Sequence, residues 1–317
     1  VSVAIAGCRM QKEGDEMTEC ADAWYHLVQG GAAGQELRAG LVTDDTTVRC
    51  AVADGASLSA LPEPWARALV RELCALPVRA LAAPDTLHAA LRTLSDGWPA
   101  ALRSYVTGLG RPLDWLEPHA LQHGPGATFV AVGVLPVPGG WQWSAAAVGD
   151  CCLFHTRGDS LVTSFPLRLP EEFGFHPDLV RGLNCLGAAG VSAIRTTSGH
   201  MRPGDTLLLA SDALAKWALV QATGGRPAWR RLAEVAAAAG ATTDPYSDPY
   251  SGAVADPYSD AEGGAGHGAD ALRVFVGGLR ETGAIEDDDV TLVAVRFLDD
   301  GWTGDRPGGG ADGHGER

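Results

Sequence analysis

The 317-residue chain predicts an α+β fold in which two antiparallel β-sheets pack together and are covered by helices. Three observations lead there. Apolar runs of strand length come in groups rather than singly. Helical patterns fall in pairs between those groups, where a doubly wound parallel sheet would alternate them one by one. A hydrophobic content of 46% with nine Trp supplies a sizeable core.

Taken in order, VSVAIAG at the start, WYHLVQ from Trp24 and VRCAVAD ending at Asp54 read as strands. PEPWARALVRELCAL from Pro62 has helical spacing, with proline in the first turn where a missing N–H costs little. PDTLHAALRTLSDGWPAALRSYV is a second helical region, expected to kink or break around Gly97–Pro99. A β-rich middle follows, ATFVAVGVL, GGWQWSAAAVG, CCLFHT and SLVTSF, the last two joined by the turn RGD. TLLLAS reads as a buried strand, DALAKWALVQ as a helix beginning on its Asp, and PAWRRLAEVAAAAG as a helix ending at Gly240. Residues 242–268 carry DPYS three times among Gly, Ala and Ser and are expected to be a disordered surface insertion. ADALRVFVGGLRETG resumes a helix and VTLVAVRF closes as a strand. One domain over 1–298 is therefore expected, with a disordered Gly- and Asp-rich tail over 299–317.

A formal net charge of −15 argues against a nucleic-acid partner, which needs clustered Lys and Arg, and is explained by solubility. No window is long and apolar enough for a membrane span, and no charged-then-apolar leader opens the chain. The seven cysteines are odd in number, lack a C-x-x-C pair and mostly sit in apolar runs, as reduced, buried thiols do. These features lead to the expectation of a cytoplasmic protein without a zinc site.

Chemistry concentrates at strand ends. VRCAVAD stops on Asp54, SAAAVGD on Asp150 and TLLLASD on Asp212, while DDDVTLVAVRF opens with Asp287, Asp288 and Asp289. Each has a plain reading: Asp54–Gly55 as a turn, Asp150 as a hairpin end, Asp212 as a helix cap, Asp22 as loop polarity, 287–289 as a solvated charge run. Together they point further. If the strands are neighbours their ends converge, and carboxylates crowded on one rim repel unless cations sit among them. Hard oxygen donors select Mg²⁺ or Mn²⁺, and a carboxylate-held metal pair suits phosphoryl chemistry.

Read in order, the motifs resemble those of the metal-dependent protein phosphatase family, type 2C. Asp22 in CADA is similar to the family's first acidic motif and VADGAS to its Asp-Gly motif. GPGATF is similar to the Gly-Ser/Thr-Thr strand opening at Gly126–Thr128, and AAVGDCCLF to the Val-Gly-Asp strand. LNCLG at Leu183–Gly187, GDTLLLASDAL and DDVTLVAV resemble the Leu-Gly, Ser-Asp-Gly and closing Asp-Asn/Asp-x-Thr elements. The resemblance spans about residues 2 to 298 and is nearest to a divergent bacterial branch reading Asp-Gly-Ala-Ser. It implies a four-layer αββα sandwich, two central antiparallel sheets flanked by helix pairs. It also implies Asp22 and Asp54 flanking a water between two Mg²⁺ or Mn²⁺ ions, the Gly55 carbonyl as a further ligand, and Asp212 and Asp288 completing the coordination. Asp150 falls where some bacterial members bind a third metal. The implied reaction is hydrolysis of phosphoserine or phosphothreonine in proteins by an activated water, without a phosphoenzyme. A Ser/Thr kinase or its targets are the implied partners.

Two departures open an alternative. Ala56 stands where many members carry a His thought to protonate the leaving group, and Met17 where a phosphate-binding Arg often lies; Arg9 or Lys12 would have to reach the phosphate instead. A weakly active or non-catalytic binding module of the same fold is therefore the second expectation. HALQH at His119–His123 has the spacing of a zinc pair but lacks a zincin Glu, so a helix surface or core explains it better.

Overall fold

The computed structural model describes residues 2–14, 20–30, 35–36, 46–56, 59, 61–108, 124–238 and 267–298. Met17, the His119–His123 pair, the 299–317 tail and all but the end of the 242–268 insertion lie outside the described residues. The strands are β1 (Ser2–Met10), β2 (Ala23–Gly30), β3 (Gln35–Glu36), β4 (Thr47–Gly55), β5 (Gly126–Val137) and β6 (Gly140–Val148). They continue as β7 (Cys152–Arg157), β8 (Ser160–Phe165), β9 (Val180–Arg181), β10 (Arg195–Met201), β11 (Asp205–Ala210) and β12 (Val290–Leu298). The helices are α1 (Pro62–Ala75), α2 (Pro84–Gly108), α3 (Asp212–Thr223), α4 (Trp229–Ala238) and α5 (His267–Glu281).

Every strand pair is antiparallel. One sheet has the order β1-β12-β11-β7-β8; the other runs β10-β6-β5-β4-β2-β3, with β9 paired to the start of β5. Alternation along each strand feeds two different layers. In β4 and β5, Val48, Cys50, Val52, Val130, Val132 and Val134 fill the space between the sheets, against Val293, Val295, Leu207 and Leu209. Their neighbours Ala51, Ala53, Ala127 and Ala131 face the other way, where small side chains let helices approach closely. Both faces of these strands are covered, so the runs are apolar throughout, unlike the half-polar strands of an exposed antiparallel sheet. The result is the αββα sandwich.

Helices α1 and α2 cover one sheet. Trp65 is fully buried, packs edge-on to Trp98 with ring centroids 5.1 Å apart, and donates its indole N–H to the Val180 carbonyl at 2.9 Å. Helix α2 runs through Pro99 as one element, so of the kink or break expected around Gly97–Pro99 the break does not occur. Leu87, Leu91, Trp98 and Leu102 recur on one stripe and all join the same core cluster, which outweighs the roughly 3 kcal/mol that an interior proline costs. The other sheet is covered by α3, α4 and α5, three helices rather than a pair, around Phe154, Trp229, Leu214 and Leu272. Helix α5 begins at His267, two residues inside the stretch expected to be disordered.

All seven cysteines are free and buried, as their apolar settings predicted. No helix among the described residues is long and apolar enough to cross a membrane.

Candidate metal centre

Strand register brings the acidic motifs to one rim. In the α1-covered sheet Ala23 pairs with Ala53, Asp54 with Thr128, and Phe129 with Val148. Asp22, Asp54 and the Gly149–Asp150 turn therefore lie at the same end of neighbouring strands. In the opposite sheet Met10 pairs with Val290, Ala210 with Leu292 and with Cys152. That register puts Lys12, Asp288, Ser211–Asp212 and Asp150 at the corresponding end.

The electrostatics put these ends within charge range of one another. Asp54 has its carboxyl pushed well above the ordinary range, first by burial and then by the charges of Asp22, Asp212, Asp288 and Asp150. Asp212 is raised to about 7, first by burial and then by Asp150 and Asp288; its own helix's Ala213 N–H and a hydrogen bond with Asp54 pull the other way. Asp22 is raised to about 8, again by burial first and Asp289 second. Asp150 and Asp288 are raised as well, burial leading in both. Asp54 thus lies within charge range of the other four predicted acids.

Asp22 is fully buried, and neither carboxylate oxygen has a hydrogen-bond partner. The Ser211 and Thr291 hydroxyls face it and counter part of its rise, without reaching good hydrogen-bond geometry. An orphaned buried carboxylate among four others is costly unless a cation compensates it. Among the described residues, no group of three or more His, Cys, Asp or Glu converges tightly enough to hold a bare ion. Mg²⁺ and similar hard cations take oxygen donors, keep several waters and bind only one or two carboxylates directly. The donor set therefore fits such an ion.

Gly55 sits where no side chain fits. A Cβ there would lie 2.7 Å from the Ala21 carbonyl oxygen and 2.8 Å from Pro62 Cβ, directly beside Asp22. The Gly55→Ala variant is expected to lose about 1–3 kcal/mol of stability through this overpacking, read as a lower unfolding midpoint. An unchanged midpoint would show that the backbone yields freely. Gly149 has φ +85°, and its missing Cβ leaves room for the Thr128 methyl, so the turn presents Asp150 inward.

The supporting contacts were not apparent in the sequence. The run 287–289, for which a solvated charge run was the plain alternative, divides three ways. Asp287 accepts the Glu13 N–H at 2.9 Å and lies 3.2 Å from Arg280 Nε. Asp288 faces the carboxylates. Asp289 is buried and accepts the Lys12 N–H at 2.9 Å and the Ala21 N–H at 2.6 Å, clasping the segments before and beside Asp22. Arg280 on α5, whose side chain is buried, donates to the carbonyls of Gln11 and Asp288. Arg9 donates to the Asp22 carbonyl at 2.8 Å. Ser211, the residue before Asp212, caps α3 without a side-chain cap bond; its hydroxyl accepts the Thr291 N–H at 2.9 Å and ties β11 to β12. Asp212 is thus the first helical residue rather than its cap.

Two sheets in these orders, covered by α1–α2 and α3–α5, occur in known proteins. No family model matches the chain, and no curated protein matches it in sequence. Solved structures do match. The Mycobacterium tuberculosis serine/threonine phosphatase PstP is 16% identical with a TM-score of 0.51, covering 94% of this chain and 100% of that one. The chain has the fold of the type 2C phosphatases. A bacterial serine phosphatase superposes on the same type 2C fold with a TM-score of 0.51 at 14% identity, covering 93% of this chain and 98% of that one. The catalytic domain of PstP in complex with two manganese ions gives 0.50 at 17%, covering 94% and 99%.

Proposed function

We propose that the chain is a Mg²⁺- or Mn²⁺-dependent phosphatase for phosphoserine and phosphothreonine in proteins, working in the cytoplasm of a bacterium opposite a Ser/Thr kinase. The observation that carries this is the buried, unpartnered carboxylate of Asp22 beside Asp54, Asp150, Asp212 and Asp288. Asp22, Asp54, the Gly55 carbonyl, Asp212 and Asp288 would hold two ions, and Asp150 a third. Bound there, such ions supply Lewis acidity to a phosphoryl oxygen and acidify a water. The manganese reported for the PstP domain supports the same choice of ion.

The chain's own residues have defined tasks in this reading. Asp289 and Arg280 hold the 11–13 and 287–289 loops against each other, so that Asp22 and Asp288 keep their separation while substrate binds. The fold-back puts Lys12 within charge range of Asp288, where its ammonium is suited to hold the substrate phosphate in place of the family's Arg.

A second reading, a weakly active binding module, is favoured by Ala56. Its backbone is tied to Gly126 and Ser59, and its methyl group carries no proton for a leaving alkoxide. Purified protein assayed on a phosphothreonine peptide with Mn²⁺, then after chelation, separates the two. Phosphate release that disappears with the metal is expected. No release from folded protein across several peptides and metals would sink the enzyme and leave the module.

A further inference from the structure

The opposite end of the α1-covered sheet holds a second polar feature, built without acids. Alternation sends Gln29, Thr47, Arg49 and Leu135 to the helix-facing side of β2, β4 and β5, in line with Ala51, Ala53 and Ala131. Helix α1 stops at Ala75, and the chain turns through Pro77 into the 3₁₀ turn Val78–Ala82. A cleft of about 470 Å³ is left between that turn and the strand ends. Arg49 forms its floor and Arg79 its exposed rim, Gln29 and Thr47 add neutral polar groups, and Val78 and Leu135 form an apolar wall.

Arg49 is only 6% exposed. Its Nη1 donates to the Leu76 carbonyl at 3.1 Å and its Nη2 to the Gln29 side chain, but Nε has no partner. No carboxylate pairs with it among the described residues, and burial lowers its pKa. A guanidinium removed from water without a counter-charge is costly, and an anion in the cleft offsets that cost. Arg is also the side chain whose planar donors match phosphate and carboxylate. Arg49 stands five positions before Asp54 on β4, roughly 16 Å along the strand. At that distance the carboxylate rim repels an anion far less than it would at its own end of the sheet.

We propose that this cleft binds a small organic oxyanion, a phosphate or carboxylate carried on an apolar body, with Arg49 and Arg79 holding the charged head and Val78 and Leu135 the body. The proposal stands apart from the phosphatase reading.

Titrating the full-length chain with phenylphosphonate, which is not hydrolysed, and following backbone amide shifts tests it. Saturable shifts are expected at Thr47, Arg49 and Val78, with affinity weakened at least about tenfold in Arg79→Gln, whose side chain is exposed and outside the core. Arg49→Met should abolish the shifts; if that variant does not fold, Arg79→Gln carries the test alone. Benzoate run in parallel names the head group, and tighter binding of either probe supports the site. Absent shifts at the cleft, shifts confined to the Asp150 and Asp212 region, or unchanged affinity in Arg79→Gln would overturn it.

Discussion

The Asp54→Asn variant is expected to lose metal-dependent phosphate release on the order of 10³-fold, yet to melt higher than the parent protein when divalent ions are chelated. The two effects have one origin. Asp54 feels the charges of Asp22, Asp150, Asp212 and Asp288, so it is crowded by like charge. With cations present its charge is an asset, and losing a ligand forfeits several kcal/mol of transition-state stabilisation, a thousandfold in rate. Without cations the same charge is a liability, and the isosteric amide removes it while leaving β4 and its register intact. A gain of about 1 kcal/mol in the chelated state corresponds to roughly 2–4 °C. The opposite signs separate a lost site from a lost fold. Undiminished turnover in both Asp54→Asn and Asp212→Asn sinks the assignment of these acids as metal ligands.

Chelation is expected to lower the unfolding temperature far more at pH 8 than at pH 5. Asp22 is raised to about 8 and Asp212 to about 7 in the folded chain without metal, while unfolded Asp titrates near 3.8. A carboxyl raised on folding contributes stability that is complete below its unfolded pKa and is lost as pH rises through the folded value. The metal-free protein therefore weakens between about pH 4 and pH 8. A divalent cation competes with the protons and needs the ionised form, so its stabilisation grows over the same window. At a hundredfold excess over Kd the gain is about 2.7 kcal/mol, on the order of 5–10 °C for a domain of this size. Thermal melts with Mn²⁺ and with chelator across that range give the result directly. A metal-induced shift equal at pH 5 and pH 8 contradicts a carboxylate cradle.

Much of the sandwich was legible because its central strands are covered on both faces. Runs such as VRCAVAD and TLLLAS are continuous apolar stretches ended by a carboxylate, and their length and boundaries mark them as strands. Strand β10 was not legible. It lies at a sheet edge, and RTTSGHM is largely exposed, so it carries no hydrophobic signal. Of the kink or break expected at Gly97–Pro99, the break does not occur, for the opposite reason: a local rule was outweighed by a stripe of core contacts that becomes visible only once α2 lies on its sheet.

Four of the five acids stood out in the sequence because each ends an apolar run or begins one, and Asp22 stood out through the resemblance of CADA to the family's first acidic motif. The residues that hold them did not. Asp289 and Asp288 are neighbours of the same type, and only the direction of each side chain makes one face the site and the other clasp Lys12 and Ala21. Arg280 looks like an ordinary last-turn cation of a helix, yet it binds Gln11, 269 residues away in the chain.

The sequence by itself determined which strands exist, in what order, and that carboxylates stand at their ends. Those are local properties, set by side-chain pattern and turn chemistry. The tertiary structure decided that the ends share one rim, that Asp22 is buried there without a partner, and that Arg49 lies under a cleft at the other end of β4. Register is the physical reason. Pairing Ala53 with Ala23 and Ala210 with Leu292 is specified by contacts between residues far apart in the chain, and a one-residue slip would turn each strand's side chains to the opposite face.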